Sequence, residues 1–550
     1  MNFKDILRQN RDALVASNKN FKDIFEIMFS HPHCVLCEEY RGDEIVYHTY
    51  AQAYDKILGA AAALKSKIGA QHNYVALEAE NSLNWIVAFW AILISGNKPY
   101  LVNTRYPAHL SDAIIKALSI EYSLCVGGTK LDAAAVDIAS LSSDEACSLE
   151  DMENEIAFSS SATSMNEVVC FYSGQQVAEQ ILNFESIVKE CPQIIKHYKG
   201  ELKQLAFLPF YHIFGLFAVY FWFAFFGRTF VFLKDHSAHT ILTACRKHKV
   251  THIFAVPMLW HNIEQRVLAA VKEGGKKAER RFEFLCALST ALQNIAPTLC
   301  AGWAKTAFVK ITGRLFGKSV QFCISGGSYL RGSAARLINS LGYNIHNGYG
   351  MSEIGIASVD LRLKPKHLNL VSVGKPFDSV EYKIDDEGVL WVRGSSLCSK
   401  KMINGKLMQV EGWFNTDDNF AEIDGYYYIC GRQSDIVIGD NGENINPDRI
   451  EQNFNIEGAK ALSVLGLKGE KGEELSLIVQ INQGISTRQL QSIKGQLLEQ
   501  NSLLPRISAV RRFYYTADDI LTDGAIKTSR KQLARAVKTG KINLTNFDEV

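Results

Sequence analysis

The sequence has almost no net charge, because its 550 residues include 59 Lys and Arg against 58 Asp and Glu. Such a balance gives no electrostatic reason to expect binding of nucleic acid. Charged residues make up 21% and hydrophobic residues 47% of the chain, which is typical of a globular protein rather than a disordered or fibrous one. At roughly 100–200 residues per domain, the length corresponds to about three core units or one large two-lobed enzyme.

The first residues, MNFKDILRQNRDALV, lack the apolar stretch of a secretory signal. We therefore expect a cytoplasmic protein whose 12 scattered cysteines are reduced thiols. One short segment carries four residue types that bind metals: His31, His33, Cys34 and Cys37. A structural zinc site normally uses two separated ligand pairs, and no second Cys-x-x-Cys follows. A strand at Cys34–Glu38 is therefore favoured over a zinc site.

Three motifs of familiar enzyme classes are missing. The chain has no Gly-x-x-x-x-Gly-Lys-[Ser/Thr] phosphate loop and no Gly-x-Gly-x-x-Gly after a strand. It also has no Gly-x-Ser-x-Gly nucleophile elbow. The sequence therefore does not indicate a P-loop NTPase, a Rossmann dinucleotide-binding enzyme or an α/β-hydrolase.

One stretch, Leu205–Gly227, carries no charge and contains eleven aromatic residues. Its length would suffice to cross a bilayer. However, Pro209 and His212 interrupt it, and a second apolar run, Thr229–Leu233, follows directly. We predict a buried strand–helix–strand unit here and leave peripheral membrane contact open.

Helical and strand patterns alternate over most of the chain. Thr49 can cap a helix that ends at Gly69, and the next predicted elements are a strand at Tyr74–Glu78, a helix from Asn81 or Ser82 to Gly96, and a strand at Tyr100–Asn103. Further buried strands are predicted at Val250–Val256 and Val320–Ile324, with a basic, Ala-rich helical region at 260–318 between them. Such alternation is typical of parallel sheets covered by helices.

The pattern changes near residue 380. Val389–Arg393 and Tyr426–Ile429 are typical of an antiparallel sheet, with Asp424-Gly425 as a turn signal. Beyond Arg432 the pattern predicts a smaller unit, with strands at Ala461–Leu467 and Leu475–Ile481 and a helix after Ser486. We predict two domains, residues 1–432 and 433–550.

Small clusters of Gly, Ser and Thr offer the best evidence on chemistry. The loop Phe158–Ser164 can present hydroxyl and N–H donors to phosphate oxygens. Ser325-Gly326-Gly327 follows an apolar strand, where the backbone can approach a flat ligand closely. Asn347–Glu353 combines an aromatic ring, a hydroxyl and a carboxylate, which suit a purine, a phosphate and a divalent cation. Asp418 and Arg432 can clamp ribose hydroxyls.

The order and spacing of these segments closely resemble the adenylate-forming superfamily of acyl- and aryl-CoA synthetases, luciferases and peptide-synthetase adenylation domains. The resemblance covers nearly the whole chain. Leu208–Gly215 resembles the family's Pro-x-x-His-x-x-Gly element, and Gly439–Ile450 resembles its Gly-x-Asn-Ile-x-Pro-x-x-Ile segment. The helical region before Ser325 is similar to the insertion of long-chain fatty acyl-CoA synthetases.

This resemblance implies an α/β fold, in which a large N-terminal AMP-binding domain of helix-covered sheets with a distorted β-barrel precedes a small α+β C-terminal domain that rotates. It also implies a reaction: a fatty or other apolar carboxylic acid attacks the α-phosphate of ATP, and a thiol then takes the acyl group from the acyl-adenylate. ATP, Mg²⁺ and coenzyme A as co-substrate are therefore expected. Two alternatives stay open: a ligase that loads a carrier-protein phosphopantetheine, and a non-catalytic relative that binds a nucleotide or an acyl group.

The resemblance also assigns roles to individual residues. Those expected to bind the nucleotide are Ser160, Ser161, Thr163, Ser164, Ser325, Gly326, Gly327, Tyr349, Gly350, Ser352, Asp418 and Arg432. Tyr349 would stack on adenine, and Glu353 would help to hold Mg²⁺. The remaining assignments are His212 near the substrate carboxylate, Ser434 as the hinge, Gly442 beside coenzyme A and Lys527 as the catalytic lysine. Lys527 would offset the repulsion between the carboxylate and the α-phosphate.

Two segments depart from the family pattern. The family's phosphate loop reads Ser-Gly-Thr-Thr-Gly-x-Pro-Lys-Gly, but residues 160–168 read SSATSMNEV, so all three glycines and the proline are missing. Glu167 replaces the lysine that faces the triphosphate. Two like unit charges about 4 Å apart repel by about 4 kcal/mol at an effective dielectric constant of about 20. The family's Thr-Gly-Asp has become Thr416-Asp417-Asp418, which adds a negative charge near the ribose site.

The substitution Glu167→Lys tests this charge reversal. If the protein is an active ligase, the lysine should lower the Michaelis constant for ATP, and the decrease should be larger at low ionic strength. Glu167→Gln, which removes the repulsion without adding an attraction, should give an intermediate value. Steady-state kinetics with varied ATP measures both, and unchanged kinetics would mean that Glu167 does not face the phosphates.

Overall fold

The computed structural model describes residues 3–41, 44–106, 108–160, 168–190, 201–435, 437–438, 444–451, 453–468, 473–505, 509–520 and 529–549. These residues form two compact units. The first unit comes from Met1–Ser160, Glu167–Glu381 and Arg393–Gly412, and the second comes mainly from Tyr382–Val392 and Trp413–Val550. The predicted domain boundary between 432 and 433 stays a prediction.

The strands, in chain order, are β1 (Val35–Arg41), β2 (Glu44–Thr49), β3 (Tyr74–Glu78), β4 (Lys98–Leu101), β5 (Tyr122–Cys125), β6 (Ala134–Asp137), β7 (Glu155–Ser159), β8 (Val168–Ser173), β9 (Lys203–Leu205), β10 (Thr229–Val231), β11 (His252–Ala255), β12 (Phe322–Ser325), β13 (Ile345–Met351), β14 (Gly355–Val359), β15 (Lys375–Pro376), β16 (Val380–Ile384), β17 (Val389–Gly394), β18 (Lys400–Ile403), β19 (Lys406–Gln409), β20 (Phe414–Ile423), β21 (Tyr426–Arg432), β22 (Val437–Ile438), β23 (Asn444–Ile445), β24 (Ala461–Lys468), β25 (Glu473–Gln480), β26 (Arg512–Thr516) and β27 (Thr545–Asn546).

The α-helices, in chain order, are α1 (Phe3–Ala16), α2 (Phe21–Met28), α3 (Tyr50–Ile68), α4 (Leu83–Ile94), α5 (Ala108–Ala117), α6 (Gly174–Leu182), α7 (Phe184–Glu190), α8 (Trp222–Ala224), α9 (Ala238–Lys247), α10 (Pro257–Glu273), α11 (Lys276–Ile295), α12 (Pro297–Ala307), α13 (Val309–Thr312), α14 (Gly332–Ser340), α15 (Pro365–Leu368), α16 (Pro447–Glu451), α17 (Thr487–Ser502) and α18 (Arg530–Lys538). A π-helical segment, Phe214–Phe221, leads directly into α8.

Two large sheets organise the first unit. The nine-stranded sheet has the order β15-β14-β13-β12-β11-β9-β10-β1-β2, and its strands from β13 to β1 are parallel. The eight-stranded sheet has the order β19-β18-β8-β7-β4-β3-β5-β6, with β7, β4, β3, β5 and β6 parallel. The predicted α/β class, with helices covering parallel sheets, is confirmed.

Local sequence signals mark both ends of α3 and the start of α4, as predicted. Thr49 caps α3 through a reciprocal pair of hydrogen bonds with Gln52, and Gly69 ends the helix with φ of 79°. Ser82 caps α4 in the same region where a helix start was predicted. The strand at Tyr74–Glu78 is confirmed, whereas the strand predicted at Tyr100–Asn103 begins two residues earlier.

The uncharged stretch forms the predicted strand–helix–strand unit. β9 leads into the π-helical segment and α8, and β10 follows. Its side chains from Leu216 to Phe226 are all buried, and the rings of Tyr220 and Phe221 pack edge-to-face on aromatic residues of α4: Trp85, Phe89 and Trp90. Within the described residues, we find no helix with the length and apolar character needed to cross a membrane.

Antiparallel strands dominate the second unit. β20 and β21 form a hairpin whose turn residues, Asp424 and Gly425, have φ of 54° and 74°, as a tight hairpin turn of mirror-image type requires. They belong to a sheet of order β16-β17-β20-β21, in the region where an antiparallel sheet was predicted. A second sheet, β24-β25-β26-β27, packs with α17, which Ser486 caps as predicted.

Replacing Thr49 with Ala should remove the hydrogen bond that Thr49 Oγ1 accepts from the backbone N–H of Gln52, while the backbone N–H of residue 49 can still donate to Gln52 Oε1. We expect the free energy of unfolding to fall by about 1 kcal/mol, since this is the usual contribution of such a cap. Thr49→Ser is the matched control and should keep most of that stability. Urea denaturation followed by circular dichroism measures both, and equal loss in the two variants would contradict this account of the helix start.

Candidate functional site

Two neighbouring parallel strands of the nine-stranded sheet, β11 and β12, end at the same edge, and β13 continues beyond it. In the register of this sheet, Ser325 at the end of β12 lies beside Ala255 of β11 and Asn347 of β13. The loop that starts at Gly326 is therefore next to the second half of β13. In open α/β sheets, ligands bind outside the carboxyl ends of the strands, so this edge is the natural candidate site.

Gly326 lies where three predicted segments meet. A Cβ atom on this residue would lie 3.3 Å from the ring of Phe214 and 3.5 Å from the carbonyl oxygen of Gly348. Phe214 lies two residues after His212, and Gly348 directly precedes Tyr349. The structure therefore brings the glycine loop, the Pro-x-x-His-x-x-Gly element and β13 into contact, and a larger residue at 326 would separate them.

Ser325, the last residue of β12, has a fully buried side chain. Its Oγ has no hydrogen-bond partner among the described residues. Leaving a buried polar group unpaired costs about 1–3 kcal/mol, so such an atom is expected where a ligand or water supplies the partner. Gly327 follows with φ of 83°, a conformation that favours glycine.

Tyr349, Ser352 and Glu353 lie at or near the turn between β13 and β14, and all three side chains are buried. The backbone of this turn is held on two sides. Tyr172 donates its Oη to the carbonyl of Ser352 at 2.8 Å, and the backbone N–H of Cys398 donates to the carbonyl of Glu353 at 2.9 Å. The hydroxyl and the carboxylate are thus presented from a fixed backbone.

Gly350 allows the two strands of this hairpin to approach closely. A Cβ atom at this position would lie 2.3 Å from the carbonyl oxygen of Gly355, so glycine is required for the observed spacing. This is the structural reason for the second glycine of the Gly-Tyr-Gly pattern of residues 348–350.

Gln180 is a contributor that the sequence did not reveal. It is fully buried on α6, donates Nε2 to the carbonyls of Ile354 and Ser396, and accepts from the backbone N–H of Ile356. Gln180 therefore fixes the residues that follow Glu353. One buried glutamine in an amphipathic helix carries no sequence signal of this role.

His212 is buried just before the π-helical segment. Gly215 lets the chain pack against Pro209, whose carbonyl oxygen would lie 2.0 Å from a Cβ at residue 215. Burial, together with the positive charge of Arg105, lowers the pKa of His212 to about 4, so the imidazole is neutral at physiological pH. Its Nε2 is buried without a hydrogen-bond partner among the described residues. A neutral ring with an unpaired nitrogen can accept or donate one hydrogen bond to a ligand.

Of the predicted loop Phe158–Ser164, only Phe158, Ser159 and Ser160 are described, and the first two belong to strand β7 rather than to a loop. The backbone N–H of Ser160 donates to the carbonyl of Val168, which closes the hairpin of β7 and β8, and Tyr106 donates its hydroxyl to the carbonyl of Ser160. The predicted loop residues Ser161, Thr163, Ser164 and Glu167 lie outside the described part of the chain.

In the second unit, Asp418 and Arg432 lie opposite each other on β20 and β21. Arg432 Nε donates to Asp418 Oδ1 at 2.9 Å, and the aspartate is largely buried. Thr416 fixes the strand end, because its Oγ1 donates to Leu390 and accepts from the N–H of Asp418. The pair presents a carboxylate and a guanidinium with defined orientation.

Asp417 occupies the place of the family's glycine in this segment. Its φ is 61°, so the backbone keeps the left-handed conformation that glycine prefers and aspartate tolerates. Its side chain is exposed, whereas that of Asp418 is buried, as expected for neighbours on a strand. The added charge therefore points to the opposite face from Asp418.

Arg530 forms a charge cluster that we did not predict. Its guanidinium contacts the carboxylates of Asp435, Asp448 and Glu451 and donates Nε to the carbonyl of Val464 at 2.7 Å. Burial raises the pKa of Glu451, while the three carboxylates raise the pKa of Arg530. The cluster fixes the start of α18 within the second unit. Arg530 is the arginine of the Lys-x-x-Arg pattern. This pattern is the sequence signal that could have indicated a role for Arg530.

Three predicted residues of the C-terminal region remain: Lys527, Gly442 and Ser434. Lys527 and Gly442 lie outside the described residues. The backbone of Ser434 lies in the short 3₁₀ segment Gln433–Asp435.

Of the four candidate metal ligands near the N-terminus, Cys37 lies in strand β1, whereas His31, His33 and Cys34 precede it. Cys37 is buried on β1, and His31 Nε2 lies 2.9 Å from Asn10 Oδ1. In the described part of the chain, no three His, Cys, Asp or Glu side chains are grouped as a metal site requires. The eleven described cysteines are free thiols.

The sequence profile of a family described as AMP-binding enzyme matches residues 31–400. The chain belongs to this family, and the predicted membership in the adenylate-forming superfamily is confirmed.

Curated relatives are similar over parts of the chain. A long-chain-fatty-acid–CoA ligase of Schizosaccharomyces pombe is 28% identical over 277 residues, which cover 46% of this chain and 39% of the relative. A 2-succinylbenzoate–CoA ligase of Staphylococcus aureus is 24% identical over 444 residues, 74% of this chain and 79% of the relative. The chain thus spans well under two thirds of the first of these relatives.

Solved structures are similar over almost the whole chain. The o-succinylbenzoate CoA synthetase MenE of Bacillus subtilis, bound to its acyl-adenylate, matches with a TM-score of 0.69 and 18% identity, over 93% of this chain and 97% of that one. ATP-bound MatB of Rhodopseudomonas palustris matches with a TM-score of 0.67 and 19% identity, over 95% and 99%. At this identity the likeness shows the fold.

The lowered pKa of His212 predicts a pH-dependent stability. The folded protein keeps the ring neutral down to about pH 4, whereas the unfolded chain binds the proton near pH 6.5. Stability is therefore fully present above pH 6.5 and is lost as the pH falls. Between pH 8 and pH 5 the loss from this group is about 2 kcal/mol.

His212→Asn should reduce the loss of stability between pH 8 and pH 5 by about that amount. The matched control, His239→Asn, replaces an exposed histidine and should behave like the wild type. Urea denaturation at the two pH values measures the difference. The same pH dependence in His212→Asn and the wild type would show that His212 is not held neutral.

Proposed function

We propose that this protein is an AMP-forming acid–thiol ligase. In this proposal a carboxylic acid reacts with ATP to give an acyl-adenylate and pyrophosphate, and the thiol of coenzyme A then takes the acyl group. The observation that carries the proposal is the contact at Gly326, which unites the glycine loop, the histidine element and β13 at one edge of the sheet. Membership in the AMP-binding enzyme family supports it.

The residues at this edge match the needs of a nucleotide. Tyr349 offers an aromatic face for adenine, and the loop Ser325–Gly327 offers close backbone approach and one unpaired hydroxyl. The hydroxyl of Ser352 suits a phosphate oxygen, beside Gly350. Residues Ser160, Ser161, Thr163 and Ser164 would face the triphosphate.

The carboxylate of Glu353 suits Mg²⁺ that arrives with ATP. Mg²⁺ usually keeps several waters and is held by one or two carboxylates together with substrate phosphates, so a single buried carboxylate beside a hydroxyl is sufficient. When bound, the ion would neutralise negative charge on the phosphates. A solved structure of the Bacillus subtilis MenE contains ATP and a magnesium ion.

His212 would orient the acid that reacts. Because its ring is neutral, it can hydrogen-bond the substrate carboxylate through the nitrogen that has no protein partner. A neutral ring holds the carboxylate by a hydrogen bond without a salt bridge, which leaves the oxygen more nucleophilic toward phosphorus.

Phe214 supports an apolar acid. Its ring lies beside Gly326, is only partly buried and stacks on Phe254 at 6.3 Å. An acyl group next to this ring would contact hydrocarbon rather than charge. The relatives named above act on long-chain fatty acids and on 2-succinylbenzoate, and we propose an acid of predominantly apolar character for this chain.

The second unit would supply the ribose and thiol functions. Asp418 would accept hydrogen bonds from ribose hydroxyls, while Arg432 holds its orientation. Lys527 would act on the carboxylate and α-phosphate, Ser434 would serve as the hinge, and Gly442 would line the path of coenzyme A. The unit from 433 to 550 would be the mobile domain.

An ATP–pyrophosphate exchange assay over a panel of carboxylic acids tests the proposal. Acid-dependent exchange, followed by thioester formation when coenzyme A is added, is the expected result. Exchange without transfer to coenzyme A would favour a loader of a carrier-protein phosphopantetheine. No exchange with any acid, together with no ATP binding in calorimetry, would favour the non-catalytic relative, which the loss of glycines in 160–168 supports.

Substituting Lys527 with Ala should separate the two half-reactions. Because the lysine would stabilise charge between carboxylate and α-phosphate, acyl-adenylate formation should fall by about 10²-fold or more. Thioester formation from pre-made acyl-adenylate should be nearly unchanged. Lys531→Ala, an exposed lysine four residues later, is the matched control. Equal loss of both half-reactions, or of neither, would refute the assignment of Lys527.

A further inference from the structure

The helical pair α11 and α12 exposes large apolar side chains. Ile295 is 79% exposed, Leu299 78%, Phe284 67%, Trp303 42% and Leu288 36%. Single exposed apolar residues are ordinary, but five on one helix pair are not. We refer to these five side chains as the hairpin apolar surface.

Helical spacing places these residues on the outer side of the pair. Phe284, Leu288 and Ile295 recur at intervals of four and seven, so they share one face of α11. The opposite face is tied to the first unit, because Ser289 donates to the carbonyl of Ser340 and Gln293 donates to that of Asn339. The apolar face therefore points away from the core.

The same region carries a local excess of positive charge. Residues 276–318 contain eight Lys and Arg against two Glu, although the whole chain is balanced at 59 against 58. Seven of these basic residues are exposed: Lys276, Lys277, Arg280, Arg281, Lys310, Arg314 and Lys318. The region therefore has a net charge of +6 beside its exposed apolar side chains, in a chain whose net charge is +1.

The basic residues gather at one end of the pair. The rings of Phe282 and Phe308 are 5.8 Å apart, so the start of α11 lies next to the end of α12. The basic residues at 276–281 and at 310–318 flank this contact. The connection between the helices, with Ile295 and Leu299 on either side, forms the opposite, apolar end.

We propose that the hairpin apolar surface docks on the surface of a lipid bilayer with anionic head groups. Basic residues attract such a surface, while Trp, Phe, Leu and Ile enter the boundary between head groups and acyl chains. The proposal concerns adsorption only, since none of the described helices can span a bilayer. A second copy of the chain fits less well, because a symmetric contact between two such strongly basic regions would be repulsive. The inference is independent of the proposed reaction.

Co-sedimentation of the full-length protein with vesicles tests this proposal. One set of vesicles contains only phosphatidylcholine, and the other contains about one third phosphatidylglycerol. We expect binding to the anionic vesicles that is at least about ten-fold tighter than to the neutral ones and that weakens as salt rises. No binding to anionic vesicles, or equal binding to both sets, would overturn the proposal.

Two double variants assign the binding to the hairpin. Ile295→Ser with Leu299→Ser removes apolar contacts, and Lys276→Glu with Lys277→Glu removes attraction. Each pair should weaken binding by about ten-fold or more, because one basic residue alone contributes roughly five-fold. Leu503→Ser, at a position 81% exposed, and Lys406→Glu, at an exposed lysine, are matched controls and should bind like the wild type. All substitutions are at exposed positions, and circular dichroism verifies folding.

Two further measurements distinguish docking on a lipid bilayer from an interface between copies of the chain. Trp303 fluorescence, taken as the difference between wild type and Trp303→Phe, should shift to shorter wavelength when anionic vesicles are added. Light scattering should show that the oligomeric state is the same in wild type and in the Ile295→Ser, Leu299→Ser variant. Oligomers that this variant dissociates would replace the lipid proposal with an interface between copies, and variants that bind vesicles like the wild type would refute it.

Discussion

The parallel alignment of β11, β12 and β13 is the constraint on which the candidate site depends. Because β12 and β13 are parallel and in register, Ser325 at the end of β12 lies beside Asn347 of β13, although 22 positions separate them in the chain. The loops that follow must then pass very close to each other. Gly326 and Gly350 make this passage sterically feasible, and Phe214 closes it from the side of the π-helical segment.

Around this edge the protein buries polar side-chain atoms that have no hydrogen-bond partner among the described residues. The hydroxyl of Ser325 and the Nε2 of His212 have no partner among the described residues, while the backbone of the adjoining turn is bonded to Tyr172, Cys398 and Gln180. A rigid backbone with unpaired side-chain atoms is the arrangement expected of a site that completes its hydrogen bonds with a ligand. On a mobile backbone, such side-chain atoms would move until they formed hydrogen bonds within the protein.

The departures from the family pattern have different structural consequences. Asp417 keeps the positive φ of the glycine it replaces and turns its charge away from Asp418, so the pair with Arg432 is preserved. Similarly, Arg530 of the Lys-x-x-Arg pattern contacts three carboxylates. In contrast, the loss of three glycines between Ser160 and Val168 changes the backbone freedom of the phosphate loop itself. The Asp418–Arg432 pair and the Arg530 cluster are therefore formed within the described part of the second unit, whereas residues 160–168 depart from the family pattern in sequence.

Features that depend on neighbouring residues could be predicted from the sequence: the cap at Thr49, the turn at Asp424-Gly425, the alternation of helices and strands, and the motif order that indicated the family. Local hydrogen bonds and backbone preferences set these, so they can be read from short segments. The fold was needed to show that Gln180 supports the turn after Glu353, that burial and Arg105 keep His212 neutral, and that Arg530 contacts Asp435, Asp448 and Glu451. These contacts join residues from about 80 to more than 170 positions apart, and no local pattern encodes which distant side chain will share a buried space. The same holds for the hairpin apolar surface, because the sequence indicates amphipathic helices, but only packing shows which apolar side chains remain outside the core.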